Sequence, residues 1–262
     1  MLTSIPTMEL YARFGNLISF DIHCKDSQGL GACVGVSESR PNKSDHVASG
    51  LDHRPYYELT IVMLVTVSFS VLLYEEKGLA MFIPVAYLLF ERGRKRRRWS
   101  EFGLNHEGYL RMVRANWHLI VLVAFIIQFV VIVGASLYIP AFMDHIYSRI
   151  PWTPDAGIGA LFGFLGLILF VTFMEELVDR GLIQGRFTGG FGPLIGIVIA
   201  SLFMAAMHWA PGAPFIVFLD LLAVFIDSLI FGLIYFRTRS IFVSWTAHLG
   251  VDLFDIVLML LV

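Results

Sequence analysis

Residues 158–187 read "IGALFGFLGLILFVTFMEELVDRGLIQGRF", a run that starts without charge and ends with two glutamates, an aspartate and two arginines. Ile158 to Phe170 has the character of a membrane-embedded helix. Ionisable side chains in such a helix are functional hypotheses by default, because a charge at the bilayer centre costs about 3 kcal/mol or more. Helical geometry separates the acids. Glu176 and Arg180 stand one turn apart on one face, where an ion pair is natural. Glu175 points about 100° away from Glu176 and is freer to face a cavity. Glu175 and Asp179 are also one turn apart and form a like-charge pair. The helix is expected to run on through Arg180 toward Phe187 and to turn near Gly190, in "TGGFGP".

The flanking sequence repeats the apolar pattern. Of the 262 residues, 57% are hydrophobic and 15% charged, whereas soluble domains have about 45–50% and about 25%. The excess predicts a polytopic membrane protein, and the net charge of −2 speaks against a nucleic-acid partner. Candidate spans are Trp117–Pro140, Ile158–Met174 with its continuation, Leu194–His208, Phe215–Phe236 and Ile241–Val262. Two shorter runs, Leu59–Tyr74 and Leu79–Phe90, read as a helical hairpin. Tyr57, Trp99, Trp117 and Trp152 fall at candidate span edges, where amphipathic rings are favoured. The basic block "RGRKRRRW", Arg92 to Trp99, predicts a cytoplasmic loop, with anionic-lipid binding as the alternative reading. "SEFGLNHEGYLRMVRANW" after it predicts an interfacial amphipathic helix leading into the next span. Alternating spans place Asp144 and Asp155 outside, Arg180 and Arg186 inside, "PGAP" outside and Arg237 to Arg239 inside; Arg149 alone departs from the pattern.

Residues 1–55 are polar and weakly periodic, and predict a flexible segment without a cleavable signal peptide. "MELYARFGNLISF" within it fits a short amphipathic helix. Cys24 and Cys33 read as two free thiols, with a disulfide as the alternative. Residues 56–154 hold the first membrane helices and the basic loop, and residues 155–262 hold the polar core.

That core has two more ionisable groups: His208, ending "SLFMAAMH", and His248 with Asp252 in "SWTAHLGVD". Glu175 and His208 lie at similar distances from the turn near Gly190, roughly 22–27 Å by helical rise. His248 comes out shallower by about 12 Å if the two loops are level. Glutamate and histidine without a nucleophilic side chain suit the activation of water. A second histidine, with Asp252 behind it, suits donation to an oxyanion. The same residue types could bind zinc, although no HExxH is present. Taken singly, Glu176–Arg180 also reads as a structural ion pair, His208 as an interfacial or capping residue, and His248–Asp252 as a packing hydrogen bond. Asp220 and Asp227 read as structural or cavity-lining. A non-enzymatic immunity or scaffold protein that keeps the cluster for stability is the alternative to an enzyme.

The motifs, over roughly residues 155–262, resemble those of the CPBP family, the CAAX-type proteases and bacteriocin-processing (Abi) membrane peptidases. "EELVDR" matches EExxxR, and "HLGVD" matches HxxxN/D. "MAAMH" matches FxxxH except that Met204 stands at the aromatic position, with Phe203 one place earlier. The resemblance implies an all-α, polytopic transmembrane helix bundle of about seven to eight spans with a polar cavity open to the cytoplasmic side. It implies that Glu175 activates water with His208, that His248 and Asp252 form an oxyanion hole, and that Glu176 and Arg180 support them. It implies a glutamate mechanism without metal, zinc being the alternative cofactor. The substrate would be a peptide or protein, prenylated or bacteriocin-like, met by a multi-pass protein of the plasma membrane.

Overall fold

The computed structural model describes residues 54–149 and 157–261. The expectations for the polar N-terminal segment, including Cys24 and Cys33, and those for Trp152 and Asp155 lie outside the described residues. All regular structure among the described residues is helical. The helices are α1 (Arg54–Leu72), α2 (Phe82–Lys95), α3 (Tyr109–Tyr138), α4 (Pro140–Tyr147), α5 (Ile158–Phe191), α6 (Pro193–Met207), α7 (Pro214–Thr238) and α8 (Ile241–Leu261). Five of them, α1, α3, α5, α7 and α8, are long and apolar enough to cross a membrane, and α6 is a shorter apolar helix. Large apolar side chains such as Phe162, Leu194 and Phe215 are exposed on the bundle, as lipid-facing helices require. The chain is an integral membrane protein built as a helical bundle.

Local chemistry sets the helix boundaries. Prolines open α4, α6 and α7, where the missing N–H has no intrahelical partner to lose. The turn between α5 and α6 is a single residue, Gly192, whose φ of +90° favours a residue without Cβ. Arg96 and Arg239 close α2 and α7 in the left-handed conformation, each with φ of 51°. α1 and α2 form the expected hairpin, with a 3-10 turn at Tyr74–Glu76 and a short helix at Lys77–Ala80 on its tip.

The amphipathic stretch after the basic block leads into the next span as expected: after a 3-10 turn at Trp99–Phe102, α3 begins at Tyr109 and runs unbroken into the membrane span. Its apolar stretch Leu122–Ile127 is π-helical. One expectation changes, in α5. It continues past Arg180 as expected, but Leu177–Gln184 is π-helical, and all eight of these residues are buried. Single-turn π segments occur often at functional sites, and here the segment directly follows the two glutamates.

The ends are tied by polar contacts. Buried Glu91 receives Lys95 at 3.0 Å and Arg186, and Arg97 lies 3.7 Å away, so the basic block is held to α5. Arg149, the residue that departed from the charge pattern, pairs with Asp220. Leu59, Leu88, Phe102, Leu182 and Phe187 share one apolar core, which joins the first helices to α5. Gly181 is a close-approach point: a Cβ there would stand 2.5 Å from the Phe102 carbonyl oxygen and 3.1 Å from Ile241 Cδ1. Gly181→Ala is therefore expected to destabilise the fold by about 1–3 kcal/mol, read as a lower thermal midpoint of the purified full chain in detergent. An unchanged midpoint would mean that the Phe102 segment yields without cost.

Candidate active site

The π segment and the helix before it carry a row of polar groups into an apolar bundle. Glu176 and Arg180 are fully buried. Arg180 Nε lies 3.4 Å from Glu176 Oε2, and Arg180 Nη2 donates to Ser228 Oγ at 2.7 Å. The expected ion pair is thus present and is anchored to α7. One turn further, Gln184 Nε2 donates to the Gly232 carbonyl at 2.8 Å, a second tie between α5 and α7.

His248 stands between the two glutamates. Its Nδ1 donates to Glu176 Oε1 at 3.1 Å, and its Nε2 faces Glu175 Oε2 at 3.7 Å. Phe231 stacks on the ring at 4.8 Å and fixes its plane. The 12 Å difference in depth expected between His248 and the glutamates is therefore absent, since His248 meets both acids. The two loops are not level. Ile241, the first residue of α8, packs beside Gly181 rather than beside the turn at Gly192, so α5 overshoots α8 by about 16 Å of helical rise.

Glu175 differs from Glu176 in access. Its side chain is 13% exposed, whereas Glu176 has no exposed surface. His208 caps α6 and is half-buried. Its Nδ1 donates to the Met204 carbonyl at 3.0 Å, which leaves the lone pair on Nε2. Met204, at the position of the family aromatic, is buried in the core beside Phe203. Asp252 is half-buried one turn beyond His248. Among the described contacts, no hydrogen bond joins Glu175 to His208 or His248 to Asp252.

Several contributors were not singled out in the sequence: Ser228 and Gln184 on the arginine side, Phe231 on the histidine, and Thr172, which accepts from Trp245 Nε1 at 2.9 Å. Ser228 and Thr172 had a signal, being polar residues inside apolar spans. Phe231 had none, because one aromatic among many carries no mark. Asp220 and Asp227 have partners: Asp220 holds Arg149 and faces His145 at 3.4 Å, and Asp227 receives Gln128 Nε2 at 2.9 Å. Asp179 is buried, and neither of its oxygens has a hydrogen-bond partner.

The fit to zinc is poor. Catalytic zinc takes three protein ligands around an open position. Among the described residues no three His, Cys, Asp or Glu side chains are grouped for one ion, and both nitrogens of His248 are turned to glutamates.

A buried Glu–His–Arg cluster where α5, α7 and α8 meet, inside a helical membrane bundle, defines an intramembrane polar site. Residues 157–254 match the family described as type II CAAX prenyl endopeptidase, Rce1-like. The uncharacterized protein YpbD of Bacillus subtilis (strain 168) is 29% identical over 133 residues, covering 48% of this chain and 61% of that protein. The match thus spans about three fifths of the curated relative. No solved structure matches the chain.

Proposed function

We propose that the protein is an intramembrane endopeptidase in which Glu175 activates a water molecule to hydrolyse a peptide bond. The observation that carries this reading is the split between the two glutamates: Glu176 is sealed and held by Arg180 and His248, while Glu175 keeps an accessible edge beside the same imidazole. A general base has to reach its water, and only Glu175 of the pair does.

The water lies between Glu175 and His208. It gives one proton to the Glu175 carboxylate, and its second hydrogen is accepted by His208 Nε2, so its lone pair is aimed at the scissile carbonyl carbon. As the C–O bond forms, the carbonyl oxygen takes the negative charge. His248, with a proton on each ring nitrogen and Asp252 behind it, turns its Nε2–H from Glu175 to that oxygen. The C–N bond then breaks, and Glu175 passes its proton to the leaving amine. Glu176 and Arg180 hold His248 in place throughout.

The substrate is a peptide or protein segment presented at the bilayer of the plasma membrane, with prenylated or bacteriocin-like chains as candidates. The test is comparative proteomics of the membrane fraction from cells with the wild-type chain or Glu175→Gln, each with and without a chelator. Peptides expected are ones cut only with the wild type and still cut under chelation. Identical proteomes would overturn the reading, and cleavage lost to the chelator would move the chemistry to a metal. His208→Ala is expected to lower cleavage about 10²-fold, with thermal stability retained, because it positions the water and does not hold the helices together.

A further inference from the structure

The basic block at the end of α2 holds more cations than the fold uses. Lys95, Arg97 and Arg186 converge on buried Glu91, Arg97 also reaches Glu101 at 3.1 Å, and Arg94 reaches Glu58 at 3.2 Å. Arg92, Arg96 and Arg98 make no ion pair among the described residues. Arg98 meets Glu101 through its backbone N–H, at 2.8 Å, and not through its guanidinium. Arg96 and Arg98 are exposed. Arg96 closes α2 with a φ of 51°, which favours glycine, so its side chain stands there against the preference of its backbone.

Arg92 is set up to receive an anion. Its guanidinium lies over the Trp99 ring, 4.2 Å from the centre, and Trp99 is 37% exposed. A guanidinium stacked on an indole keeps the donors along its edge, where two phosphate oxygens can be met together. Among the described residues none accepts a hydrogen bond from its Nε. One to three turns back along the same helix, Phe82, Leu89 and Phe90 are exposed apolar side chains, and Arg94 lies 5.5 Å from the centre of the Phe90 ring. Cations at the end of an apolar strip match the order of groups in a phospholipid, a phosphate above acyl chains. A free phosphate would use the cations alone.

The same block leads directly to the candidate active site. Arg97 lies over the Phe102 ring at 4.4 Å, and the Phe102 carbonyl is the group that approaches Gly181 in the π-helical segment. The Gly103 carbonyl accepts from the Ile241 N–H at 2.8 Å, and the Asn105 carbonyl accepts from Ser240 Oγ at 2.5 Å. The connector between α2 and α3 is thus wedged between that segment and the first turn of α8, the helix that carries His248.

We propose that Arg92, Arg96 and Arg98, with Trp99, form a headgroup site for an anionic phospholipid, and that the bound lipid steadies the connector that sets α8 against α5. Phosphatidylcholine is excluded by charge, because its own ammonium neutralises its phosphate, whereas an anionic lipid brings a net negative charge to three unpaired arginines. The inference goes beyond the endopeptidase reading and does not depend on it.

The experiment uses the full chain purified in a neutral detergent. Acyl-labelled phosphatidylglycerol and phosphatidylcholine are titrated separately, and binding is read by fluorescence anisotropy. Phosphatidylglycerol is expected to bind about ten-fold more tightly, the size of hydrogen bonding to a charged group. At saturation it is expected to raise the unfolding midpoint by about 5 °C. Arg92→Lys keeps the charge without the planar fork and is expected to lose most of the preference. Arg96→Gln combined with Arg98→Gln is expected to remove it. Arg237→Gln, which deletes an exposed cation in the last turn of α7 at the same end of the bundle, is expected to keep it. Equal affinity for the two lipids, or a midpoint unmoved by phosphatidylglycerol, would overturn the proposal on the wild-type chain alone, whatever the variants do. A preference intact in Arg92→Lys, or lost equally in Arg237→Gln, would reduce the site to diffuse positive charge and overturn it too. Displacement of the lipid by an equal concentration of inorganic phosphate would assign the arginines to a free anion, against the proposal.

Discussion

Glu175→Gln in the full-length protein is expected to lower peptide cleavage by about 10³-fold while leaving thermal stability close to wild type. Glutamine keeps the length and the hydrogen-bonding oxygen of the side chain, so the contact with His248 Nε2 at 3.7 Å has a neutral substitute. It cannot take a proton from water, which is the step the proposal assigns to this residue. Glu176→Gln is the informative partner. It weakens the hold on both Arg180 Nε and His248 Nδ1, which the acid now serves from its two oxygens. Its expected signature is a lower unfolding midpoint with part of the activity retained. Cleavage rates and unfolding midpoints of the two variants, taken on the same preparations, decide between the glutamates. Full activity of Glu175→Gln beside a dead but stable Glu176→Gln would reverse the assignment.

Arg180→Ala is expected to be the most damaging change to the fold, at about 3–5 kcal/mol, because it strands Glu176 as a buried charge without its partner. Arg180 has no exposed surface, donates to Ser228 Oγ at 2.7 Å, and lies 3.4 Å from Glu176. One guanidinium therefore links α5 to α7 and holds the acid that orients His248. Arg180→Lys keeps the charge but has a single ammonium where a planar fork served two partners, so it is expected to recover only part of the loss. Thermal unfolding of the purified chain in detergent reads the effect. The combined change Arg180→Met with Glu176→Gln should be less damaging than Arg180→Ala alone, since no unpaired charge remains. Equal midpoints for Arg180→Ala and the wild type would show that solvent reaches this cluster.

Spans and polar groups were legible because both follow from composition along the chain. A bilayer demands apolar runs of a given length, and it makes every ionisable residue inside them conspicuous. The ion pair between Glu176 and Arg180 was legible for a related reason: residues one turn apart meet whatever surrounds them. The turn expected near Gly190 lies at Gly192, where glycine before proline marks it. By contrast, the π-helical stretch Leu177–Gln184 was not legible, because periodicity does not show where a helix widens its turn.

The sequence by itself determined the class of this protein, an integral membrane bundle of helices, and brought Glu175, Glu176, Arg180, His208, His248 and Asp252 forward as a set. The apolar runs and the polar exceptions within them depend only on the order of residues. Tertiary structure alone decided two things. It made Leu177–Gln184 π-helical, and it set Ile241 against Gly181 so that His248 meets both glutamates. Each depends on how far one helix slides past another. Close-approach positions such as Gly181 and the packing around Phe102 govern that offset, and no local pattern of the chain encodes it.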